Sequence, residues 1–293
     1  MPMAVDIPAL KALQLVKSQT VTPRDVMLYA LGIGLGADPL DEQQLRYVFE
    51  DGLQALPSMA ITLTYPELLA AYGRVGIAKH RVLHGEQRFT LARPLPVQAE
   101  LQGTTRVVQL VDKGPGKGLL VYYQTEVHEV GSAQAGEPLA LLTGSTFCVD
   151  EGGACPGEPA AAPLIERHAS PTTAPDGVCD LPTLPQAALI YRLSGDYNPL
   201  HASPAVARSA GHDRPILHGR CTFGVAGHAL LRLCCDYDAR RLLGMTARFI
   251  APVYPGETIR TEVWRTAQGV LFRARALERD RVVLDNGHAQ IID

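Results

Sequence analysis

The sequence predicts an α+β protein of two similar halves, each an antiparallel sheet wrapped around one central helix, with the N-terminal helix shortened. Three observations predict it. Residues 151–176 are crowded with glycine, proline and alanine and lack apolar periodicity, which marks a linker between segments 1–150 and 177–293 of the 293-residue chain. Short matches recur between the two segments at one offset of 160: Asp38-Pro39-Leu40-Asp41 with Asn198-Pro199-Leu200-His201, and Arg88-Phe89 with Arg248-Phe249. Tyr29-Ala30-Leu31 and Tyr191-Arg192-Leu193 correspond after a slip of two residues, and three matches in one order favour duplication over chance. Finally, the C-terminal segment carries one long, nearly uncharged helical stretch followed by four β-rich runs.

In the C-terminal segment Thr183 reads as an N-cap, with Pro185 in the first turn and Gln186 at the capping-box position, opening a helix from Ala187 to Leu193 that Gly195 ends. A polar loop, Gly195 to His201, leads to Ser203-Pro204, a second cap with a first-turn proline, and Gly211 closes that short helix. From about Gly219 to Cys235 almost no charge occurs before Arg232, so this helix is apolar all round and is expected to be buried. Strands are expected at Met245 to Ile250, Thr258 to Thr266, Val270 to Leu277 and Arg281 to Ile292, joined by short turns. A buried helix wrapped by an antiparallel sheet is the hot-dog arrangement.

The N-terminal segment reads the same way. Strands are expected at Gln87 to Ala92, Ala99 to Val111, Leu119 to Val130 and Leu139 to Val149. The candidate central helix, Pro66 to Tyr72, is preceded by Pro57, ended by Gly73 and much shorter than its counterpart, which leaves space beside the sheet. Gly32-Ile33-Gly34-Leu35-Gly36 has neither the glycine spacing nor the preceding strand of a dinucleotide loop.

Charge and composition exclude several classes of function. With 27 Lys and Arg against 30 Asp and Glu the chain lacks the basic footprint of a nucleic-acid partner. The start of the chain lacks a basic signal-peptide region, no apolar run approaches the ~20 residues of a membrane span, and the last residues are not a peroxisomal address. Six cysteines without paired spacing fit reduced thiols, so a cytoplasmic location and no structural metal are expected.

The densest reactive cluster runs from Ser194-Gly195-Asp196-Tyr197-Asn198-Pro199-Leu200-His201 to Arg214-Pro215-Ile216-Leu217-His218-Gly219. Pro199 prevents regular helix between Asp196 and His201, so a turn can bring both side chains to one point. A carboxylate and an imidazole converging on one water form an acid/base pair, and the Asn198 amide can hold the loop or a ligand oxygen. An ordinary Asx-turn is the competing reading of this run. The balance shifts because His218-Gly219 opens the buried helix, whose first N–H groups lack intrahelical partners and can stabilise an oxyanion.

These runs resemble the hydratase signature of R-specific enoyl-CoA hydratases of the MaoC-like group. Val82-Leu83-His84-Gly85-Glu86-Gln87, Asp112-Lys113-Gly114-Pro115-Gly116-Lys117-Gly118 and Ala251-Pro252-Val253-Tyr254-Pro255-Gly256-Glu257-Thr258 extend the likeness over the chain, toward the two-domain hydratases of peroxisomal multifunctional enzymes. The resemblance implies a double hot-dog fold and syn addition of water to a trans-2-enoyl-CoA, giving a (3R)-hydroxyacyl-CoA. It assigns Asp196 and His201 to catalysis, Asn198 to support and the Gly219 N–H to the thioester oxyanion. Tyr197, Arg214 and His218 in the same runs are substrate-binding candidates, as are Lys113 and Lys117, for which an ordinary solvated turn is the competing reading, and His84, for which a hydrogen-bonded structural histidine is the competing reading. No cofactor is implied beyond the coenzyme A that the substrate carries, and pairing of two chains is an expectation of the family.

At the offset of 160, Gly36 stands where Asp196 does and Asp41 where His201 does, so the N-terminal half is read as catalytically degenerate and accommodating the acyl chain. Two residues depart from the usual pattern: His212 where phenylalanine is common, and Arg220 where an apolar residue is usual. Arg220 in the first turn of a buried helix calls for solvent or an anion, so a solvated surface arginine is expected, with a polar acyl group or a CoA phosphate as the competing partner, and His228 is expected as a packing residue. The alternatives are a dehydratase or thioesterase on the same fold, or a non-catalytic acyl-CoA binding module.

Overall fold

The computed structural model describes residues 4–78, 81–132, 136–155, 162 and 164–292, and both halves follow one plan. The first half runs α1 (Ile7–Lys11), β1 (Gln14–Val21), α2 (Pro23–Gly32), α3 (Glu42–Leu45), a 3-10 turn at Pro57–Thr62, α4 (Leu68–Arg74), β2 (Val82–Leu91), β3 (Ala99–Asp112), β4 (Leu119–Glu129) and β5 (Ala140–Cys148). The second runs β6 (Gly177–Pro182), α5 (Ala187–Tyr191), α6 (Pro204–Ser209), α7 (Gly219–Cys234), β7 (Leu242–Phe249), β8 (Thr258–Thr266), β9 (Gly269–Ala276) and β10 (Arg281–Ile291). Among the described residues no helix is long and apolar enough to cross a membrane.

The ten strands form one antiparallel sheet in the order β1-β3-β4-β5-β2-β7-β10-β9-β8-β6. This order is a palindrome: each strand mirrors its equivalent in the other half. At the seam Gln87 pairs with Ala247, its own counterpart at the offset of 160, so a pseudo-twofold axis crosses the sheet there. The expectation of two sheets is thereby corrected. Left separate, β2 and β7 would each expose a row of unpaired backbone N–H and C=O groups, and pairing them satisfies both edges at once.

Helix α7 is buried along almost its whole length, and Phe223 on it meets Phe89 of β2 at 6.2 Å and Phe249 of β7 at 6.5 Å between ring centroids. In the N-terminal half the Pro57–Thr62 turn fills the shared core, with Tyr29 Oη donating to Ser58 Oγ at 3.0 Å, while α4 packs in a separate cluster with Leu110, Leu119 and Val121. The central helix expected at Pro66 to Tyr72 is therefore corrected to α4 two residues later, with Gly73 inside it and Gly76, at φ +89°, beyond its end. Gly227 lets α7 lie against the turn, since a Cβ there would stand 3.1 Å from Ser58 Cβ.

The matched tyrosines Tyr29 and Tyr191 meet across α2 and α5, their rings 5.9 Å apart. Thr183 does not cap α5. Its hydroxyl instead donates to Glu257 O at 2.8 Å and accepts from Gly256 N at 3.0 Å, tying the chain to the Pro255-Gly256 turn. The described part of residues 151–176 crosses the sheet face opposite α7, where Arg167 Nε meets the buried Glu86 carboxylate at 2.9 Å.

Candidate active site

Local hydrogen bonds shape the loop between α5 and α6. Gly195, at φ +114°, turns the chain after a 3-10 turn. Asp196 Oδ1 accepts from Asn198 N at 3.2 Å, and Asn198 Oδ1 accepts from Leu200 N at 3.1 Å, opening a second 3-10 turn at Pro199–His201. The N-terminal counterpart keeps the second bond, Leu40 N to Asp38 Oδ1 at 2.9 Å, and loses the chemistry. There Asp41 accepts from the Gln43 and Gln44 backbone N–H groups as the N-cap of α3.

His201 is buried and its Nδ1 lies 2.9 Å from Ile216 O. A carbonyl oxygen can only accept, so Nδ1 carries the proton and Nε2 keeps its lone pair. Burial holds this imidazole below its ordinary pKa of 6.5, which keeps it neutral at physiological pH, although the Ile216 bond and Asp196 oppose the shift. His218, the N-cap of α7, stacks on His201 with ring centroids 3.7 Å apart, and its Nε2 donates to Asp196 O at 3.1 Å. Burial, with His201 beside it, pushes the His218 pKa down as well.

Asp196, His201 and His218 each offer a ligand atom, all within 4.8 Å of one another. Imidazole lone pairs lie in the ring plane, however, and two rings stacked at 29° send them side by side rather than toward one ion. The arrangement suits a neutral base beside a carboxylate better than a metal.

These groups open on a cavity of about 310 Å³ lined by both halves of the chain. Asp196, Asn198, His201 and Gly219 line it. The Gly219 N–H takes no hydrogen bond among the described residues, and a Cβ on Gly219 would stand 3.1 Å from the Phe249 ring. His84 also lines the cavity, its ring tilted against Phe249 with centroids 4.3 Å apart, and its pKa lowered to about 3 by burial and by Arg220. His212 is on the wall too.

The other candidates lie elsewhere. His218 sits behind His201 rather than on the wall. Tyr197 is 57% exposed beneath the Arg192 guanidinium, and Arg214 is exposed over the Tyr254 ring. Lys113 and Lys117 are exposed on the β3–β4 turn, away from the lining. His228 packs as expected, its Nε2 3.1 Å from Tyr237 Oη.

Arg220 overturns its expectation. It is buried, its guanidinium 3.9 Å over the Tyr65 ring, with Nη2 donating to Tyr123 Oη at 3.3 Å. Tyr65, Tyr123 and Arg220 are the wall residues that sequence reasoning missed as a group. The one available signal was a charge in the first turn of a helix otherwise apolar all round.

Comparison with known proteins gives a consistent result. Residues 166–286 match the MaoC like domain, and residues 19–149 match the MFE-2 hydratase 2 N-terminal domain. The chain is 36% identical over 280 residues to "Enoyl-CoA hydratase 2, peroxisomal" of Arabidopsis thaliana, covering 90% of this chain and 88% of that one. It is 39% identical over 286 residues to "3-hydroxyacyl-thioester dehydratase Y" of Mycobacterium tuberculosis, covering 92% and 93%. The crystal structure of a MaoC-like dehydratase from Phytophthora capsici aligns with a TM-score of 0.85 at 32% identity, covering 99% of this chain and 98% of that one.

Proposed function

The chain belongs to the MaoC-like hydratase 2 family, and from that premise we propose that it adds water across the double bond of a trans-2-enoyl-CoA to give a (3R)-hydroxyacyl-CoA. The observation that carries this reading is the fixed tautomer of His201: a neutral imidazole with its Nε2 lone pair free, beside the Asp196 carboxylate and the open start of α7. Water held between Asp196 and His201 loses a proton to Nε2 as its oxygen bonds to the β-carbon. The electron pair of the double bond moves toward the thioester oxygen, where the Gly219 N–H donates to the developing charge. A proton returned from this pair to the α-carbon completes the addition and restores both groups.

The thioester itself is the electron sink, so the reading calls for no cofactor. Asn198 supports by holding the loop. Tyr65, Leu68, Leu69, Val82 and Leu83 give the N-terminal half, residues 1–150, the wall that receives the acyl chain, and residues 177–293 supply the chemistry. A cytoplasmic location, on the buried thiols Cys148, Cys179, Cys221, Cys234 and Cys235, and a homodimer belong to the same reading. The same groups catalyse dehydration in reverse, so substrate and product levels set the direction.

The test follows the enoyl-thioester absorbance with crotonyl-CoA and a longer trans-2-enoyl-CoA, for the wild type, Asp196→Asn and His201→Ala. Loss of signal yielding the 3R product, with each variant slower by about 10²-fold or more, is expected. Release of free CoA would replace the reading with a thioesterase, and binding without turnover would replace it with a carrier.

A further inference from the structure

A helix that is apolar all round carries one charge into the cavity. Arg220, 7% exposed, extends from the first turn of α7 to the N-terminal half, where it meets Tyr65 and Tyr123 on the wall assigned above to the acyl chain. Among the described residues one of its five N–H donors has a hydrogen-bond partner. Among the described residues no carboxylate lies within ion-pair distance, and Asp196 acts on it only through space. Tyr65 does not balance the charge: burial pushes its pKa up to about 12, so it stays neutral. His84, held neutral partly by this same cation, leaves its buried Nε2 without a hydrogen-bond partner.

A purely hydrocarbon chain gains nothing from such a wall. It would strip water from a guanidinium and return no acceptor, which is the costly way to bury a charge. An acceptor oxygen would instead complete the donor set, and a carboxylate would also neutralise it through a charge-assisted bond.

We propose that the acyl group of the substrate carries an acceptor oxygen, a carboxylate foremost, a few bonds beyond the reacting double bond, and that Arg220 with the Tyr65 and Tyr123 hydroxyls receives it. The distance along the acyl group follows from the chain: Arg220 directly succeeds Gly219, so its guanidinium lies within one side-chain length of the thioester site. This inference rests on the hydratase reading and names its substrate class.

The test compares kcat/KM for two trans-2-enoyl-CoA thioesters of equal length, one ending in a carboxylate and one in a methyl group, with crotonyl-CoA as the reference. Wild type, Arg220→Leu and Arg220→Lys are measured on all three. The wild type is expected to favour the carboxylate substrate roughly tenfold to a hundredfold, the difference a charged hydrogen bond makes. Arg220→Leu is expected to reverse that order, and Arg220→Lys to retain part of the preference. Equal or better turnover of the methyl-ended substrate by the wild type overturns the inference, and this comparison stands even if Arg220→Leu fails to fold. Equal loss on all three substrates in a folded Arg220→Leu also overturns it, because the arginine would then serve the thioester or the structure. If the wild type hydrates no enoyl-CoA, the hydratase reading falls, and competition binding of the two saturated acyl-CoA thioesters then decides the oxygen preference by itself.

Discussion

Replacing Gly219 with alanine isolates the oxyanion donor from the acid/base pair. The added Cβ would stand 3.1 Å from Phe249 Cε1 and 3.2 Å from Cδ1, inside the ~3.5 Å at which carbon contacts become favourable. Phe249 has little room to retreat, since the His84 ring packs against it at 4.3 Å and Phe223 lies at 6.5 Å. The first turn of α7 must therefore give by a few tenths of an ångström. That displacement is comparable to the whole 2.7–3.1 Å window in which a donor serves a developing oxyanion, and full loss of one donor costs about 10²–10³ in kcat. A partial loss, about tenfold to a hundredfold in kcat with KM changed less than about twofold, is expected in the crotonyl-CoA absorbance assay. Stability changes little, because the helix preference for alanine, up to about 1 kcal/mol, offsets part of an overpacking cost of about 1–3 kcal/mol. Gly224→Ala is the control: its Cβ would stand 2.7 Å from Tyr29 Oη and 2.8 Å from Ile33 Cγ2, so melting temperature falls while kcat holds. Wild-type kcat in Gly219→Ala, or a change confined to KM, would refute the placement of the oxyanion at this N–H.

Three further outcomes follow from the site and its supports. His201 must be neutral to accept a proton and burial holds its pKa below 6.5, so kcat/KM is expected to be flat above that pH and to fall through a midpoint below it; an acid limb centred above pH 7 would contradict the assignment. His84, His201, His218 and His228 are all held below 6.5 chiefly by burial, His84 at about 3 and His228 at about 4, so the unfolded chain binds protons first as pH falls. Their stabilisation is nearly complete at pH 7 and declines below pH 6.5 by up to about 1.4 kcal/mol per unit for each ring, which urea titrations at pH 7 and pH 5.5 would register as a loss of about 3–5 kcal/mol. Arg167→Ala leaves Glu86 buried with only Tyr122 and Ser145 as hydrogen-bond donors; with Arg167 itself 37% exposed, a loss of about 1–3 kcal/mol is expected, and Glu86→Gln in the same chain should recover part of it.

The fold was legible where periodicity and burial coincide. Helix α7 ends one residue before the expected Cys235 because an uninterrupted apolar face needs no tertiary information to be recognised. Strand β8 keeps its expected bounds, Thr258–Thr266, for the same reason. Edge strand β1 escaped notice: Gln14–Val21 carries Lys17, Ser18 and Gln19, and a strand paired on one side only is free to be polar. Helix α2 did offer a signal, the Thr22-Pro23 start with Asp25 completing a capping box, but its ten residues have a weak apolar stripe. The duplication showed through only a few identities because a pseudo-twofold axis constrains backbone, not side chains. Its sharpest trace, Gln87 opposite Ala247, joins two residues with no sequence likeness.

The site divides along the same line. Asp196, Asn198, His201 and Gly219 were legible because one short loop and one helix start carry them, and their convergence follows from a proline and two Asx bonds. The surface candidates Tyr197, Arg214, Lys113 and Lys117 were chosen for charge or proximity in sequence, and neither property places a side chain inside a cavity. Tyr65, His84 and Tyr123 could not be joined to Arg220 in advance, since they come from the other half and meet it only once the two halves share one core and one sheet. The seam also explains why they matter: in the proposed reaction one copy of the fold supplies the reacting groups, and the other supplies the wall that the substrate would face. A change in the first turn of α7 is therefore read by residues more than ninety positions away, which is why a single arginine in place of an apolar side chain remakes the character of the cavity wall while leaving the Asp196 and His201 loop as it is.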